Sequence, residues 1–273
     1  MSARLTLHKL GAFFWRDFVV ARTYRSAFVL ELFQALFGVA SFFYLARFVE
    51  SPELTRALPQ GESYFAFTLV GFAFFDYLSV SIDAFDASIE SARQNRALEA
   101  LLVTQTPLPL ILAGSAIYPF AMLAIRTLVY IAWGALLFGF SLRSANWAGA
   151  LAVLAASVLS LAGIGILSAS YLILFKRGNP MKWLIVGLAG LVSGLMYPIS
   201  ILPRPLQLLA RLIPVSYSLE GMRSALLDDA SFGQLWPSIA ALLLFAAILL
   251  PLSFVVFSWA VRRTKITGTL THL

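Results

Sequence analysis

The sequence predicts an all-α integral membrane protein with six transmembrane helices in a single domain, residues 1–273. Of the 273 residues, 60% are hydrophobic and only 12% are charged, and the mean hydropathy is +0.86. A soluble domain carries about 25% charged residues, so this chain lacks the polar side chains that would cover its surface in water. The hydrophobic residues also fall into long runs, separated by short polar connections.

The first segment, residues 1–25, is predicted to form an amphipathic helix on the cytoplasmic membrane surface. Lys9 and Arg16 lie on one side, where they would face anionic lipid headgroups. The apolar residues recur at helical spacing on the other side: Leu7, Leu10, Phe14, Phe18 and Ala21.

Six apolar runs follow, each near or above the roughly 20 residues that cross about 30 Å of hydrocarbon. The predicted spans are residues 27–49, 64–85, 110–142, 147–175, 183–202 and 236–261. The third and fourth exceed the bilayer thickness, so they must tilt or extend beyond it. Five of the six tryptophans lie mostly toward span ends, as an aromatic belt requires: Trp133, Trp147, Trp183, Trp236 and Trp259.

The basic residues set the predicted orientation. Arg126 lies within a span, and 13 of the 20 Lys and Arg residues lie in segments that are cytoplasmic if both termini are inside. The other six lie in the outer segments: Arg47, Arg56, Arg143, Arg204, Arg211 and Arg223. This asymmetry predicts cytoplasmic termini in the plasma (inner) membrane. The net charge of +7 therefore reports topology, and no nucleic-acid partner is expected.

Residues 87–106 connect the second and third spans on the predicted cytoplasmic side and form a polar, helix-favouring stretch. Glu90, Arg93, Arg96 and Glu99 recur every three residues, and the stretch ends at a Thr-Pro-Leu-Pro sequence. An apolar side is supplied by Leu98, Leu101 and Leu102. Two interpretations remain open from spacing alone: a solvated interfacial connector, or a contact site for a soluble partner.

The connection between the fifth and sixth spans, residues 203–228, is too apolar for a free loop and too rich in proline for a full span. Two half-inserted helices, residues 205–212 and 215–226, fit this composition, because irregular backbone at membrane depth requires protein or a cavity beside it. They would cap the outer mouth of a pathway. The alternative is an interfacial hairpin with no gating role.

Ionisable residues within the spans are costly in hydrocarbon and should face protein or water. Asp76, Asp83, Asp86 and Glu90 share one narrow arc of the second span, and Arg126 lies near the middle of the third. In one hypothesis Asp76 pairs with Arg126 and holds these spans together. In the other, the acidic arc wets the inner half of a translocation pathway. A simpler interpretation of Asp83 and Asp86 places them at the lipid headgroups.

Several kinds of site are not expected in this sequence. It contains no cysteine, and its two histidines, His8 and His272, lie near the termini. A thiolate or histidine metal site and a catalytic constellation are therefore not predicted. The sequence also lacks a Gly-x-x-x-x-Gly-Lys-Ser/Thr phosphate-binding loop. No catalytic, metal or cofactor site is assigned to this chain.

Two segments resemble the permease subunits of type-2 ABC exporters. Residues 96–118, RALEALLVTQTPLPLILAGSAIY, are similar to the family pattern Glu-x-Gly-Thr-Leu-Glu-x-Leu-Leu-x-Thr-Pro, from which they depart at residues 95–97 and by a two-residue delay of the proline. The matching positions are Leu98, Glu99, Leu101, Leu102 and Thr104. The second segment resembles a Tyr-Pro…Leu-Pro…Pro-x-x-Tyr-x-x-Glu-x-x-Arg pattern, at Tyr197, Pro198, Leu202, Pro203, Pro214, Tyr217, Glu220 and Arg223.

The resemblance implies a transport subunit rather than an enzyme. Two copies of the permease, expected as a homodimer, would each bind a separate ATP-binding subunit that holds ATP and Mg²⁺. Residues 1–25 would be a connecting helix, and residues 87–106 a coupling helix that contacts the ATP-binding subunit through Glu90, Arg93, Arg96, Leu98, Glu99, Leu101 and Leu102. The outer gate would comprise Tyr197, Pro198, Pro203, Pro214, Tyr217, Glu220 and Arg223.

The leading functional hypothesis is therefore a permease that exports an amphiphilic small molecule or lipid from the cytoplasm. An alternative within the family is an exporter of lipid-linked cell-surface polysaccharide. A more distant alternative is an ion-coupled secondary transporter, which would need coupling residues on broken helices in two related halves. The sequence shows no convincing internal repeat and a single mid-depth charge pair.

Overall fold

The computed structural model describes residues 3–23, 25–49, 63–94, 108–142, 145–175 and 180–266, and these ranges are mostly helical. We number the described helices in chain order: α1 (Ala3–Thr23), α2 (Arg25–Val49), α3 (Tyr64–Gln94), α4 (Leu108–Phe138), α5 (Trp147–Phe175), α6 (Pro180–Val192), α7 (Arg204–Arg211), α8 (Pro214–Leu226) and α9 (Phe232–Ile266). A single turn of 3-10 helix, Ile199–Ile201, precedes α7.

Five of these helices are long and apolar enough to cross a membrane, namely α2, α3, α4, α5 and α9. They correspond to five of the six predicted spans. The fifth predicted span, residues 183–202, differs, because its helix α6 ends at Val192. Gly194 then adopts a left-handed conformation (φ +82°), and Pro198 has no amide hydrogen to continue a helix. The span therefore begins as a helix and continues as irregular backbone.

Two other predicted boundaries also differ. The third span was predicted to reach residue 142, whereas α4 ends at Phe138, because Gly139 has φ +71°. A separate coupling helix was predicted from residue 87, whereas α3 continues without interruption from Tyr64 to Gln94. No proline and a single glycine, Gly71, occur in α3. The first part of the predicted coupling helix is therefore the end of the second span, and residues 95–107 lie outside the described residues.

Helix α3 is the centre of the packing. It contacts α2, α4, α5, α6 and α8, and most of its apolar side chains are buried. Helix α5 packs between α3 and α9 with close backbone approaches: a β-carbon at Gly163 would lie 3.0 Å from the Leu249 carbonyl carbon, and Ser81 donates a hydrogen bond of 2.7 Å to the Leu161 carbonyl. Small residues at such crossings let membrane helices approach closely.

The outer surfaces of α2, α4 and α9 have the opposite character. Large hydrophobic side chains on these helices are exposed, and examples are Phe37, Phe48, Leu136, Trp236 and Val255. In water such a surface would cause association. In a membrane it is the surface that contacts acyl chains or another membrane-embedded subunit.

Helix α1 corresponds to the predicted amphipathic segment. Phe14 packs against Tyr118 of α4, with ring centroids 5.8 Å apart, and Phe13 lies against Gly114. Arg16 pairs with the neighbouring Asp17 at 2.7 Å. The apolar side of α1 is therefore anchored on the first part of α4.

Helices α7 and α8 occupy the segment for which two half-inserted helices were predicted, and their bounds differ from the predicted ones by one residue at each start. Pro203 and Pro214 lie at the two helix N-termini, where a missing amide hydrogen costs nothing. Helix α8 packs against α3, α5 and α9, and α7 contacts α6 and α8. The short helices therefore cover one end of the α3–α5–α9 core.

Candidate functional site

The three aspartates of α3 each contact a different neighbouring helix. Asp76 Oδ2 lies 3.0 Å from Arg126 Nη2 of α4. Asp83 forms an ion pair with Lys182 of α6. Ser168 of α5 donates a hydrogen bond to Asp86, with both carboxylate oxygens 3.1 Å from its hydroxyl. The acidic arc thus supplies polar contacts to three helices.

The Asp76–Arg126 pair lies midway along the two spans and is partly accessible, with 31% and 33% of the side chains exposed. Asp76 also lines a small cavity of about 200 Å³ between α2, α3 and α4, together with Gln34 and Tyr130. The structure therefore contains the ion pair between Asp76 and Arg126 that the first hypothesis expected between the second and third spans. The cavity beside it leaves a role in a pathway open, because a carboxylate next to an internal space can contact water or cargo.

We expect exchange of the two charges to restore what either single reversal removes. Asp76→Arg or Arg126→Asp alone places two like charges at mid-membrane, and the double variant re-forms an opposite pair. Contacting residues couple by about 0.5–3 kcal/mol, so we expect a favourable coupling of about 1–2 kcal/mol in a double-mutant cycle of thermal stability. A coupling near zero would show that the two side chains act independently.

Asp83 is not near the mid-membrane pair, and its partner was missed at the sequence level. Lys182 was counted only as a cytoplasmic basic residue, although the predicted topology already placed both residues at inner span ends. Ser168 was also missed, because a serine within an apolar span carries no signal in a hydropathy profile.

Arg223 of α8 forms the densest polar contact among the described residues. The side chain is 8% exposed and donates to three backbone carbonyls: Phe67 at 3.1 Å, Gly194 at 2.7 Å and Leu195 at 2.9 Å. Its guanidinium also lies 3.5 Å from the centroid of the Phe67 ring. Arg223 therefore ties α8 to the N-terminal end of α3 and to the irregular segment after α6.

Gly71 creates the space for this contact. A β-carbon there would lie 2.7 Å from the Leu195 carbonyl oxygen and would also overlap the Arg223 guanidinium. The carbonyls of Gly194 and Leu195 are available because α6 has ended, so no helical amide lies in position to bind them. The end of α6, Gly71 and Arg223 therefore depend on one another: α6 leaves the carbonyls free, Gly71 leaves the space, and Arg223 donates the hydrogen bonds.

The predicted gate residues divide into two groups. Pro198, Tyr217, Glu220 and Arg223 line one cavity of about 670 Å³, which we call the α7–α8 cavity. Other walls come from the N-terminal end of α3 and from the irregular segment after α6: Phe67, Ser193, Gly194, Ile199 and Ser200.

The remaining predicted gate residues do not line the α7–α8 cavity. The Tyr197 hydroxyl donates to the Leu191 carbonyl, which holds the irregular segment against the end of α6. Pro203 and Pro214 begin α7 and α8. These three residues therefore shape the backbone around the cavity.

The predicted coupling residues are described only in part. Glu90 is half-buried on α3, and the backbone of Arg93 continues the same helix. Arg96, Leu98, Glu99, Leu101 and Leu102 lie outside the described residues. Next to Glu90, Ile89 is buried in an apolar cluster with side chains of α4, α5 and α9. The start of the predicted coupling stretch is thus packed against the core.

Comparison with known families gives one match. Residues 8–227 match the family model described as ABC-2 type transporter. No curated protein matches the chain. The family match covers well over half of the 273 residues and includes α1 to α8, the stretch 87–106 and all the residues of the two charge pairs. The chain is a multi-pass membrane protein and a transport subunit, and it belongs to the ABC-2 type transporter family.

Proposed function

We propose that this chain is the permease subunit of an ATP-driven exporter that moves an amphiphilic small molecule or lipid out of the cytoplasm. The observation that carries the proposal is the family match over residues 8–227. The amphiphilic cargo is supported by the α7–α8 cavity, which combines charged and hydroxyl-bearing side chains with a position beside exposed apolar surface.

The energy would come from a separate subunit, because this sequence contains no phosphate-binding loop. We propose two ATP-binding subunits, which bind ATP and Mg²⁺, and two copies of the permease chain. The exposed apolar faces of α2, α4 and α9 leave ample surface for a second copy as well as for lipid. Conformational change requires that ATP bind the outward-facing state of the assembly more tightly than the resting state.

Helix α3 offers a direct mechanical connection for such a change. It is unbroken from Tyr64 to Gln94 and carries, in order, the Phe67 contact of Arg223, the Asp76 pair and the buried Ile89. Phe67 and Ile89 are 22 residues apart, or about 33 Å at 1.5 Å per residue. A displacement of its inner end would therefore reach the mid-membrane pair and the α7–α8 cavity without crossing a hinge.

Co-purification tests the proposal. The full chain carries an affinity tag in its native host, is extracted in mild detergent, and its accompanying proteins are identified by mass spectrometry. We expect an ATP-hydrolysing subunit in a one-to-one ratio with the permease, and transport in reconstituted vesicles that requires ATP. If no such subunit accompanies the chain and transport instead follows an ion gradient, the protein is a secondary transporter.

A further inference from the structure

The α7–α8 cavity contains two buried hydroxyl groups that lack partners. Ser193 and Ser216 both line it, with 1% and 4% exposure, and neither hydroxyl hydrogen-bonds to any residue that the structure describes. Several other buried hydroxyls donate to carbonyls of their own helices, for example Ser157 to Val153 at 2.7 Å and Ser170 to Ile166 at 2.7 Å. An unpaired buried hydroxyl costs about 1–3 kcal/mol. Both serine oxygens are covered by protein, so they belong to the cavity wall, and the groups within reach of a ligand are the exposed Arg211 and Glu220.

The charges of the cavity indicate what kind of group fits. Arg211 and Arg223 contribute two guanidiniums, and Glu220 and Asp228 contribute two carboxylates, so the lining carries both signs and no net formal charge. A purely anionic ligand would meet the carboxylates, and a purely cationic one would meet the guanidiniums. A zwitterion satisfies both. Within the described part of the chain, Arg211 and Glu220 form no ion pair, which leaves one group of each sign for a ligand.

A sugar fits this lining less well. Carbohydrate recognition uses a free aromatic face, and one face of Phe67 is covered by the Arg223 guanidinium at 3.5 Å. The other aromatic in the lining, Tyr217, packs against Phe245 of α9, with ring centroids 6.0 Å apart. The cavity therefore has hydrogen-bonding groups for a sugar, but the rings of Phe67 and Tyr217 are already packed against other side chains.

Helix α7 places an apolar surface next to the polar cavity. Gln207 and Arg211, four residues apart, line the cavity on one side of the helix. Leu208 and Leu212, shifted by one position, are 62% and 70% exposed on the adjoining side. A lipid whose headgroup enters the cavity would lay its acyl chains along these leucines.

We propose that the α7–α8 cavity binds the zwitterionic headgroup of a phospholipid. The phosphate receives hydrogen bonds from Arg211, and the ammonium group lies toward Glu220. The cavity volume of about 670 Å³ suits a group of this size, since small-molecule sites span about 300–1,000 Å³. This site names the class of amphiphile that the permease carries, and its role as a cargo site rests on the proposed function.

Native mass spectrometry of the full chain, purified with any subunit that accompanies it, tests this site. The probes are dioleoyl phosphatidylcholine, dioleoyl phosphatidylglycerol and dioleoylglycerol, added in equal amounts without ATP. We expect one phosphatidylcholine per permease chain, retained roughly tenfold more than either other lipid. Arg211→Gln and Glu220→Gln should each reduce that retention roughly tenfold, the loss expected for one charge-assisted hydrogen bond.

A matched variant separates binding from folding. Arg204→Gln removes the same charge from the same helix without touching the cavity and should leave retention unchanged. Equal retention of phosphatidylglycerol, or retention that is indifferent to Arg211 and Glu220, would overturn the site.

Failure of this site is distinguishable from failure of the proposed function. Lipid retention is measured without ATP, so the site can be confirmed even if no ATP-binding subunit accompanies the chain and transport follows an ion gradient, which is the result that overturns the ABC mechanism. An ATP-hydrolysing complex that retains no phosphatidylcholine would overturn the site alone. Displacement of bound phosphatidylcholine by a soluble oligosaccharide would also overturn it, in favour of a glycan.

Discussion

Arg223→Leu is expected to lower the melting temperature of the purified protein by roughly 5 °C or more. The leucine fills much of the space but leaves the carbonyls of Phe67, Gly194 and Leu195 without their donor. Each buried carbonyl that loses its partner costs about 1–3 kcal/mol, and about 1 kcal/mol shifts the melting temperature of a domain of this size by about 2–4 °C. Arg223→Lys should recover only part of the loss, because a single ammonium cannot reproduce the planar fork.

The same contact can be broken from the other side. A β-carbon introduced by Gly71→Ala meets the Arg223 guanidinium and the Leu195 carbonyl oxygen, whereas one introduced by Gly38→Ala meets nothing within 4 Å. Both glycines lie within helices, where alanine is otherwise favoured by about 0.5–1 kcal/mol. We therefore expect Gly71→Ala to destabilise the protein and Gly38→Ala to leave it unchanged or slightly more stable.

Equal melting temperatures for these two glycine variants would show that Arg223 can move aside at no cost. The combination of Gly71→Ala with Arg223→Leu adds a second test. If the two residues belong to one contact, the double variant should lose less stability than the two single losses together. Full additivity would mean that Gly71 matters for a reason other than Arg223.

The sequence was sufficient to predict the long helices. Hydropathy over some 20 residues reflects the cost of placing polar groups in hydrocarbon, and this local quantity located α5 at the same residues as the predicted span, 147–175. Helices α7 and α8 were also predictable, because residues 203–228 are too apolar for a free loop and too rich in proline for one continuous span. These features depend on neighbouring residues alone.

The end of α6 could not be predicted from hydropathy, because it depends on a contact with a distant residue. Residues 183–202 are apolar throughout, so composition favours one continuous span. The helix stops at Val192 because Gly194 takes a positive φ and Arg223, 29 residues further along the chain, binds the carbonyls that become exposed. Periodicity assigned Arg223 to an outer connection. Its burial follows only when the broken segment is placed beside α3.

Side-chain pairs between distant segments were only partly predictable. Asp76 and Arg126 both lie near the middle of their spans, and depth alone suggested that they pair. Asp83 and Lys182 are 99 residues apart, and their contact depends on α6 packing against α3. The unpaired hydroxyls of Ser193 and Ser216 carry no sequence signature, since most buried serines bind their own helix.

Charge reversal in the stretch 87–106 is expected to uncouple ATP hydrolysis from transport. Arg96→Glu or Glu99→Arg would weaken a contact with the ATP-binding subunit while leaving the apolar spans untouched. Coupling between two sites is typically about 1–3 kcal/mol, and about 1.4 kcal/mol corresponds to a tenfold effect. We therefore expect ATP-dependent transport to fall at least roughly tenfold in reconstituted vesicles, with ATP hydrolysis and membrane insertion retained.

Arg262→Glu is the matched control, because Arg262 is exposed near the end of α9 on the same predicted side of the membrane. It should leave transport unchanged, so an equal loss in that variant would assign the effect to surface charge in general. Full transport in Arg96→Glu and Glu99→Arg would return residues 87–106 to the role of a solvated connector.

The packing of α3 favours a coupling role. Ile89 is buried against α4, α5 and α9, and the residues after Glu90 are those that would contact the partner. A solvated connector does not need to be packed against the core. A coupling segment does, because it can move the transmembrane helices only if it is fixed to them.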